Sequence, residues 1–537
     1  MSKRLRHPPM VSPSSCTTIR WCLLIIFCGT AAFAAPPEAA APQVPFETKS
    51  FAVPQSKIDD FIFAKLAKAG LPPAQPCSDA VFVRRIFLDL IGTLPTSDEV
   101  TAFLNDKSAD KRGKLIDRLF ARDEFADYWA MRWADVLRVK AEFPINLWPN
   151  PAQAYHRLLR TCVQTNLPIN RFARGLLTAT GSNMRVPEAN FFRAVQSREP
   201  RSLAAAASLA FMGVRQESWT TAELDSLAVF FSRVSYKATS EWKEEIVLFD
   251  ESKPAPTGPV TLPDGQVLTI PPHVDPRVVF ADWLLQPKNP WFARCFANRC
   301  WSWLLGRGLV HEPDDFRRNN PPSHPELLAY LATELVSHGY DMRHLLRLIV
   351  NSRTYQLSSI PATADPRALE WFGCYPLRRL DAEVLIDALC AVTGTTESYS
   401  SLIPEPFTFL PEGTRAIALP DGSISSSFLE LFGRPPRDSG LAAERNLNPS
   451  ADQRLHFLNS SHVRLKIEKS PALRAVLRSA APYQAANQLY LLILSRPPTD
   501  AELGLFRDTM AATPNRQNAI VDLVWALLNT TEFLCRH

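Results

Sequence analysis

Between residues 289 and 356 the chain gathers the side chains best suited to chemistry. Asn298, Arg299, Trp301 and Trp303 fall in one run, Asp314 and Asp315 follow with Asn319 and Asn320, and Arg353 sits in the closing NSRTYQ. Arg299 and Trp303 are four apart, so on a helix they share a face and could stack. Asn298 and Arg299 could line a ligand cleft. Asp314 and Asp315 with the two asparagines make an oxygen-rich loop of the kind that a hard cation or a sugar uses. Arg353 with Arg378 and Arg379 could form an anion subsite. Asn298, Arg299, Asp314, Asp315 and Arg353 are therefore the candidate ligand-binding residues, and no catalytic residue is assigned.

Each candidate has a competing structural assignment. Arg299 could pair with a carboxylate such as Asp282 or Asp315 in a buried polar network. The Asp314-Asp315 loop lacks the spacing of an EF-hand and suits capping and ion pairing. Arg353, Arg378 and Arg379 could satisfy helix C-terminal carbonyls or pair with Asp381. His311, His324, His338 and His344 are the densest histidine group, and His456 and His462 are six apart, but HExxH is absent and no metal is expected. GxSxG, a Walker loop and GxGxxG are absent too. A glycosidase carboxylate pair would leave no such trace, because its members are distant in sequence.

The elements that must position these groups read as helices. Asn289-Pro290 predicts an N-cap with proline at the first helical position, and Gly306 and Gly308 a stop. Ser323 to Glu326 predicts a capping box, Gly339 an end, and Asp341 a cap for the helix carrying Leu345, Leu346 and Ile349. Earlier, apolar residues recur at helical spacing from Ile58 to Leu66, over 79–91, and through Phe125, Trp129, Trp133 and Leu137. Thr96/Glu99 and Thr499/Glu502 are further capping boxes. Residues 201–212 and 224–234 also read as helical, as does 517–533 at the end. The pattern changes only over 241–275, where IVLFD and VLTI are short β-like runs around an Asp264-Gly265 turn. The expected fold is mainly α: two helical domains, 56–240 and 276–537, joined by a small β-hairpin or extended insertion at 241–275.

At 537 residues the chain exceeds one ordinary core, and low glycine (19) with high proline (46) fits helices with proline-marked starts. Lys3, Arg4, Arg6 and Arg20 precede an apolar run, and Ala32-Phe33-Ala34 has the form of a signal peptidase site, so 1–34 reads as a signal peptide and 35–55 as a disordered leader. Export to the periplasm or the extracellular space follows. The apolar run is too short to span a bilayer stably, and an uncleaved anchor is the alternative. Without those four cations the chain's 59 Lys+Arg fall to 55 against 54 acids, which gives no argument for nucleic acid. Seven cysteines follow residue 34, an odd number, and no CxxC occurs.

The runs IDDFIFAKLAKAGL, RRIFLDLIGTLPTSDEVTAFL, KLIDRLF and YWAMRWADVLR resemble the planctomycete cytochrome-type domain (domain of unknown function 1549) of exported proteins abundant in planctomycetes. Residues 275–359, YPLRRLDAEVLIDAL and the tail RPPTDAELGLF are similar to planctomycete-specific domain 1 (domain of unknown function 1553). Together they span roughly residues 56–535. The resemblance implies no reaction. It does imply that many relatives carry CxxCH for covalent haem, in a fused cytochrome domain or between an FxGVR-like and a WTxxDxxxLAxFF-like segment. This chain has Phe211-Met212-Gly213-Val214-Arg215 and Trp219-Thr220 with only Gln216-Glu217-Ser218 between them. Covalent haem needs two thiols and an axial histidine, so no haem or other cofactor is expected.

The expected function is that of an exported accessory or scaffold protein binding an envelope protein or a polysaccharide. A polysaccharide-active hydrolase or lyase is the alternative, and a redox carrier is disfavoured by the missing CxxCH.

Overall fold

Trp129 and Trp133 stand one turn apart on the helix Asp123–Val136, and this spacing builds the centre of the molecule. Both rings meet Trp303 of the helix Phe292–Leu305 edge-on, at 5.7 and 5.4 Å between centroids, and Trp133 also stacks on Phe296 at 5.0 Å. Offset and edge-to-face aromatic pairs of this kind add about 0.5–1.5 kcal/mol each beyond the area they bury. A helix from the first expected region and one from the second thus cross through a shared aromatic seam. The structure, a computed structural model, describes residues 45–479, 482–513 and 515–537. Helices dominate these residues, as the periodicity predicts, and the buried side chains on both sides of 241–275 belong to one continuous core.

Helix boundaries follow the caps. Thr96 accepts from Glu99 N while the Glu99 carboxylate accepts from Thr96 N, and Thr499 and Glu502 repeat the arrangement. Asp341 caps Met342–Asn351. Gly306 and Gly394 end their helices in the left-handed conformation. Two starts differ from expectation. The helix expected at Asn289-Pro290 begins at Phe292, but Asn289 Oδ1 still accepts from Trp291 N and Phe292 N. Ser323 does not cap Pro325–Ser337, because proline takes the first helical position and puts His324 at the N-cap, one residue later than a Ser323/Glu326 box requires.

The β content is small. Glu245–Phe249, one residue ahead of IVLFD, is the middle strand of a three-stranded antiparallel sheet between Gly181–Ser182 and Val234–Ala238, with Val234 opposite Phe249 and Ala238 opposite Glu245. Helical pattern was expected as far as Val234. The helix instead stops at Ala228, a 3-10 turn follows at Val229–Phe231, and the alternating Val-Ser-Tyr-Lys-Ala joins the sheet. Pro259–Thr261 and Val267–Thr269 form the separate hairpin around Asp264-Gly265. The helix expected over 517–533 is broken: Arg516–Leu528 ends, and Thr530 caps a short Thr531–Leu534.

The expected signal peptide and the residues of the expected leader before 45 lie outside the described residues. The rest of the leader is tied down at its start: Ser78 N donates to Phe46 O and Thr48 N to Pro76 O, at 2.9 Å each. Among the described residues no helix is long and apolar enough to cross a membrane. All seven cysteines there are free thiols.

Candidate functional site

Beside the aromatic seam lies a cavity of about 590 Å3, within the range of roughly 300–1,000 Å3 usual for small-molecule sites. Arg132 and Asp135 reach it from helix Asp123–Val136, and Arg299, Ser302 and Trp303 from helix Phe292–Leu305. The 311–314 loop, Arg378 and the 435–448 loop complete it. Helical spacing explains the first two sets. Arg132 and Asp135 are three apart, as are Arg299 and Ser302, so each pair points to one side of its helix.

Every guanidinium in this wall is paired. Arg132 Nη2 donates to Asp381 Oδ2 at 2.6 Å, Arg299 Nη2 to Asp314 Oδ1 at 2.9 Å, Arg378 Nη2 to Asp89 Oδ1 at 3.2 Å and Arg445 Nη2 to Asp135 Oδ2 at 2.7 Å. Arg378 also donates to the Trp303 and Leu304 carbonyls at the end of the helix Phe292–Leu305. Burial pushes the Asp135 carboxyl up, but Arg445 and Arg437 outweigh it and hold its pKa below the ordinary carboxylate value. Two donors are left over: Arg132 Nε and Arg378 Nε, both buried, find no protein acceptor.

The five nominated residues separate. Arg299 and Asp314 line the cavity as a mutual pair, and Arg299 further donates to the Leu209 and Ala210 carbonyls that end the helix Pro200–Met212. Its partner is neither Asp282, which pairs with Arg174, nor Asp315, which pairs with Arg317. Arg299 makes no stacking contact with Trp303, whose ring is taken by Trp129 and Trp133. Asn298 is fully buried behind the cavity, where its amide accepts from Val310 N and donates to Val310 O, closing the turn after the helix. Asp315 is outside the cavity wall. Arg353 is in a different place: its backbone N donates to Asp59 beside the helix Lys57–Lys68, and burial and Arg112 lower its pKa. Arg378 and Arg379 also part company, because Arg379 donates to the Phe432 and Asn446 carbonyls. No three-arginine subsite forms.

Sequence reasoning missed Arg132, Asp135 and Arg445. The first two stand in the run YWAMRWADVLR, and their three-residue spacing was the available signal. Arg445 follows the short 3-10 turn Ala442–Glu444, outside every predicted helix, and nothing local marks it.

A second feature lies on the surface. Trp148 meets Trp242 and Phe407 edge-on, with Lys243 over both indoles. Trp242 is 69% exposed and Phe407 44%. At the join where a haem loop was expected to be missing, Gln216–Ser218 is one exposed 3-10 turn, and Arg215 before it pairs with Glu312.

Comparison with known families places these parts. A family model described as PSCyt2, a protein of unknown function (DUF1549), matches residues 57–225, and one described as PSD1, a protein of unknown function (DUF1553), matches residues 276–510. No curated protein and no solved structure matches the chain. The cavity draws on both matched regions: Arg132 and Asp135 from the first, Arg299, Trp303, Asp314, Arg378 and Arg445 from the second.

Proposed function

Because the chain belongs to the family in which a DUF1549 region is followed by a DUF1553 region, and those descriptions carry no activity, we propose its function from the cavity: an exported, haem-free accessory protein that binds polysaccharide. The observation that carries this reading is the charge-paired cavity beside Trp303. Paired guanidiniums and carboxylates leave little net field for a multiply charged anion. They do present many fixed donors and acceptors along the cavity wall. Neutral hydroxylated rings meet both needs, and the indole edge of Trp303 supplies an apolar patch. The exposed Trp242 and Phe407 rings, packed on the half-buried Trp148, offer a second surface on which sugar rings can stack.

Binding without turnover is favoured over hydrolysis. A glycosidase needs one carboxyl kept protonated by its surroundings. In the cavity, Asp135 is shifted the opposite way, Asp314 is engaged by Arg299 and by Ala442 N, and Glu312 is paired with Arg215.

The test is a screen of the purified chain against envelope and extracellular polysaccharides, with product analysis. Retention by at least one polymer, without new reducing ends or unsaturated products, is expected. Ala443→Trp, an exposed position on the cavity wall, should abolish retention while leaving the unfolding transition in place. Released products would replace this reading with a hydrolase or lyase, and a failure to retain any polymer would remove it.

A further inference from the structure

Four histidines cluster in sequence between 311 and 344, and the fold selects two of them. Helix Pro325–Ser337 carries Glu334 in its last turn and His338 at its C-cap, four residues on. The chain then reverses through Gly339 at φ +67°, and Asp341 starts the helix Met342–Asn351. This corner turns His344 back onto the other two. Glu334 Oε2 lies 3.4 Å from His338 Nδ1 and 3.2 Å from His344 Nε2, and the imidazoles stack with centroids 3.6 Å apart. His311 and His324 lie elsewhere, in the cavity wall and against Phe372.

Those two separations are long for charge-assisted hydrogen bonds between carboxylate and imidazole, which run about 2.7–2.9 Å. They fit the roughly 3.3–3.5 Å edge of a tetrahedron whose centre is about 2.0–2.1 Å from each ligand atom. The donor set, two imidazoles and a carboxylate, suits borderline divalent ions and not Ca2+ or Mg2+. His338 is half-exposed; its Nδ1 also meets Glu334 O at 2.9 Å and Ser337 Oγ at 3.2 Å, so to bind an ion its ring leaves these contacts and the stack and turns its lone pair toward the point that Glu334 and His344 share.

We propose that Glu334, His338 and His344 form a binding site for a divalent transition-metal ion, with Zn2+ the first choice and a fourth position open to solvent. The site is separate from the saccharide cavity and does not rest on that reading. The other histidine group lacks this geometry. His456 Nε2 meets His462 Nδ1 at 3.2 Å, and His462 Nε2 meets Glu397 Oε2 at 2.9 Å, a chain and not a convergence. Lys466 already holds the same Glu397 oxygen at 2.9 Å.

Untagged, metal-free protein is titrated with Zn2+ by calorimetry, and Co2+ is added in parallel for its visible absorption. One saturable Zn2+ site per chain is expected, weakened about tenfold or more in His338→Ala and in His344→Ala, together with the intense visible bands of four-coordinate Co2+. Unfolding curves serve as the control, and His338, exposed at a helix end, tolerates replacement. Absence of saturable uptake overturns the proposal. So does uptake that is unchanged in the His338→Ala/His344→Ala double variant, which would locate the ion elsewhere.

Discussion

Arg299 and Asp314 face each other at 2.9 Å with only 2% of either side chain exposed. The pair ties three segments together. Arg299 also holds the last carbonyls of the helix Pro200–Met212, and the second Asp314 oxygen accepts from Ala442 N at 2.6 Å. One wall of the cavity therefore depends on an ion pair that has no solvent to fall back on.

Removing one partner leaves the other charge buried and uncompensated. Asp314→Ala should cost about 3–5 kcal/mol. Asp315→Ala breaks a pair with the half-exposed Arg317 and should cost below about 1 kcal/mol. Urea unfolding of the two variants decides the matter, and equal losses would show that the Arg299 pair is not the anchor described.

Arg536 is the second anchor. Its Nε lies 2.9 Å from Asp89 Oδ1 and its Nη2 2.8 Å from Asp381 Oδ2, with none of the three side chains exposed. Its backbone pairs with Arg378–Arg379. Arg536→Ala should destabilise by about 3–5 kcal/mol or prevent folding. Arg536→Lys should recover little, since a single ammonium cannot replace a planar fork that reaches two carboxylates. Full recovery by lysine in a thermal melt would argue for charge alone.

Acid should destabilise the protein from about pH 6.5 downward. Burial, helped by nearby cations, pushes the His156, His324 and His537 rings down to about 3 from 6.5. Below pH about 6.5 the unfolded chain takes up three protons that the folded chain refuses, so stability falls as pH drops, by up to about 4 kcal/mol per unit. Asp387, raised to about 6 by burial, takes up a proton in the folded state and offsets part of this below pH about 6. His156→Phe should remove about a third of the histidine slope in denaturation midpoints measured from pH 7 to 5; an unaltered slope would exclude His156 as a source. Asp381 adds a later loss. Burial raises its carboxyl, but Arg132, Arg536 and Arg445 outweigh this and hold it below the ordinary range. Its stabilisation is present above pH about 4 and disappears as pH falls further.

Covalent haem should be absent even where the maturation machinery is active. Residues 211–220 pass from Gly213 to Trp219 through the single turn Gln216–Ser218, with no cysteine pair to form thioethers. Expression in a host with cytochrome c maturation, followed by denaturing gel haem staining and a visible spectrum, should show neither stain nor Soret band. Either signal would contradict the reading.

The helices were legible because their signals are local. Thr96 and Glu99, or Thr499 and Glu502, need only each other to define a start. The strand Val234–Ala238 was not legible, because its alternation follows directly on a helical run and only its partner Glu245–Phe249 decides it. Among the candidate residues, Arg299 and Asp314 were recognisable by type, and their pairing was not. Asp282, Asp314 and Asp315 are equivalent in sequence, and the choice fell to the carboxylate that the 311–316 loop delivers beside the helix Phe292–Leu305.

The sequence by itself determined the helical class, the family and the absence of a CxxCH, because each is written in periodicity, caps or contiguous motif. Only the tertiary structure decided that Arg132 and Asp135 meet Arg299, Trp303, Arg378 and Arg445 around one cavity, and that Glu334 and His338 meet His344 at a helical corner. Such meetings depend on packing between segments hundreds of residues apart, or on the exact turn between two helices, and no short-range pattern encodes either.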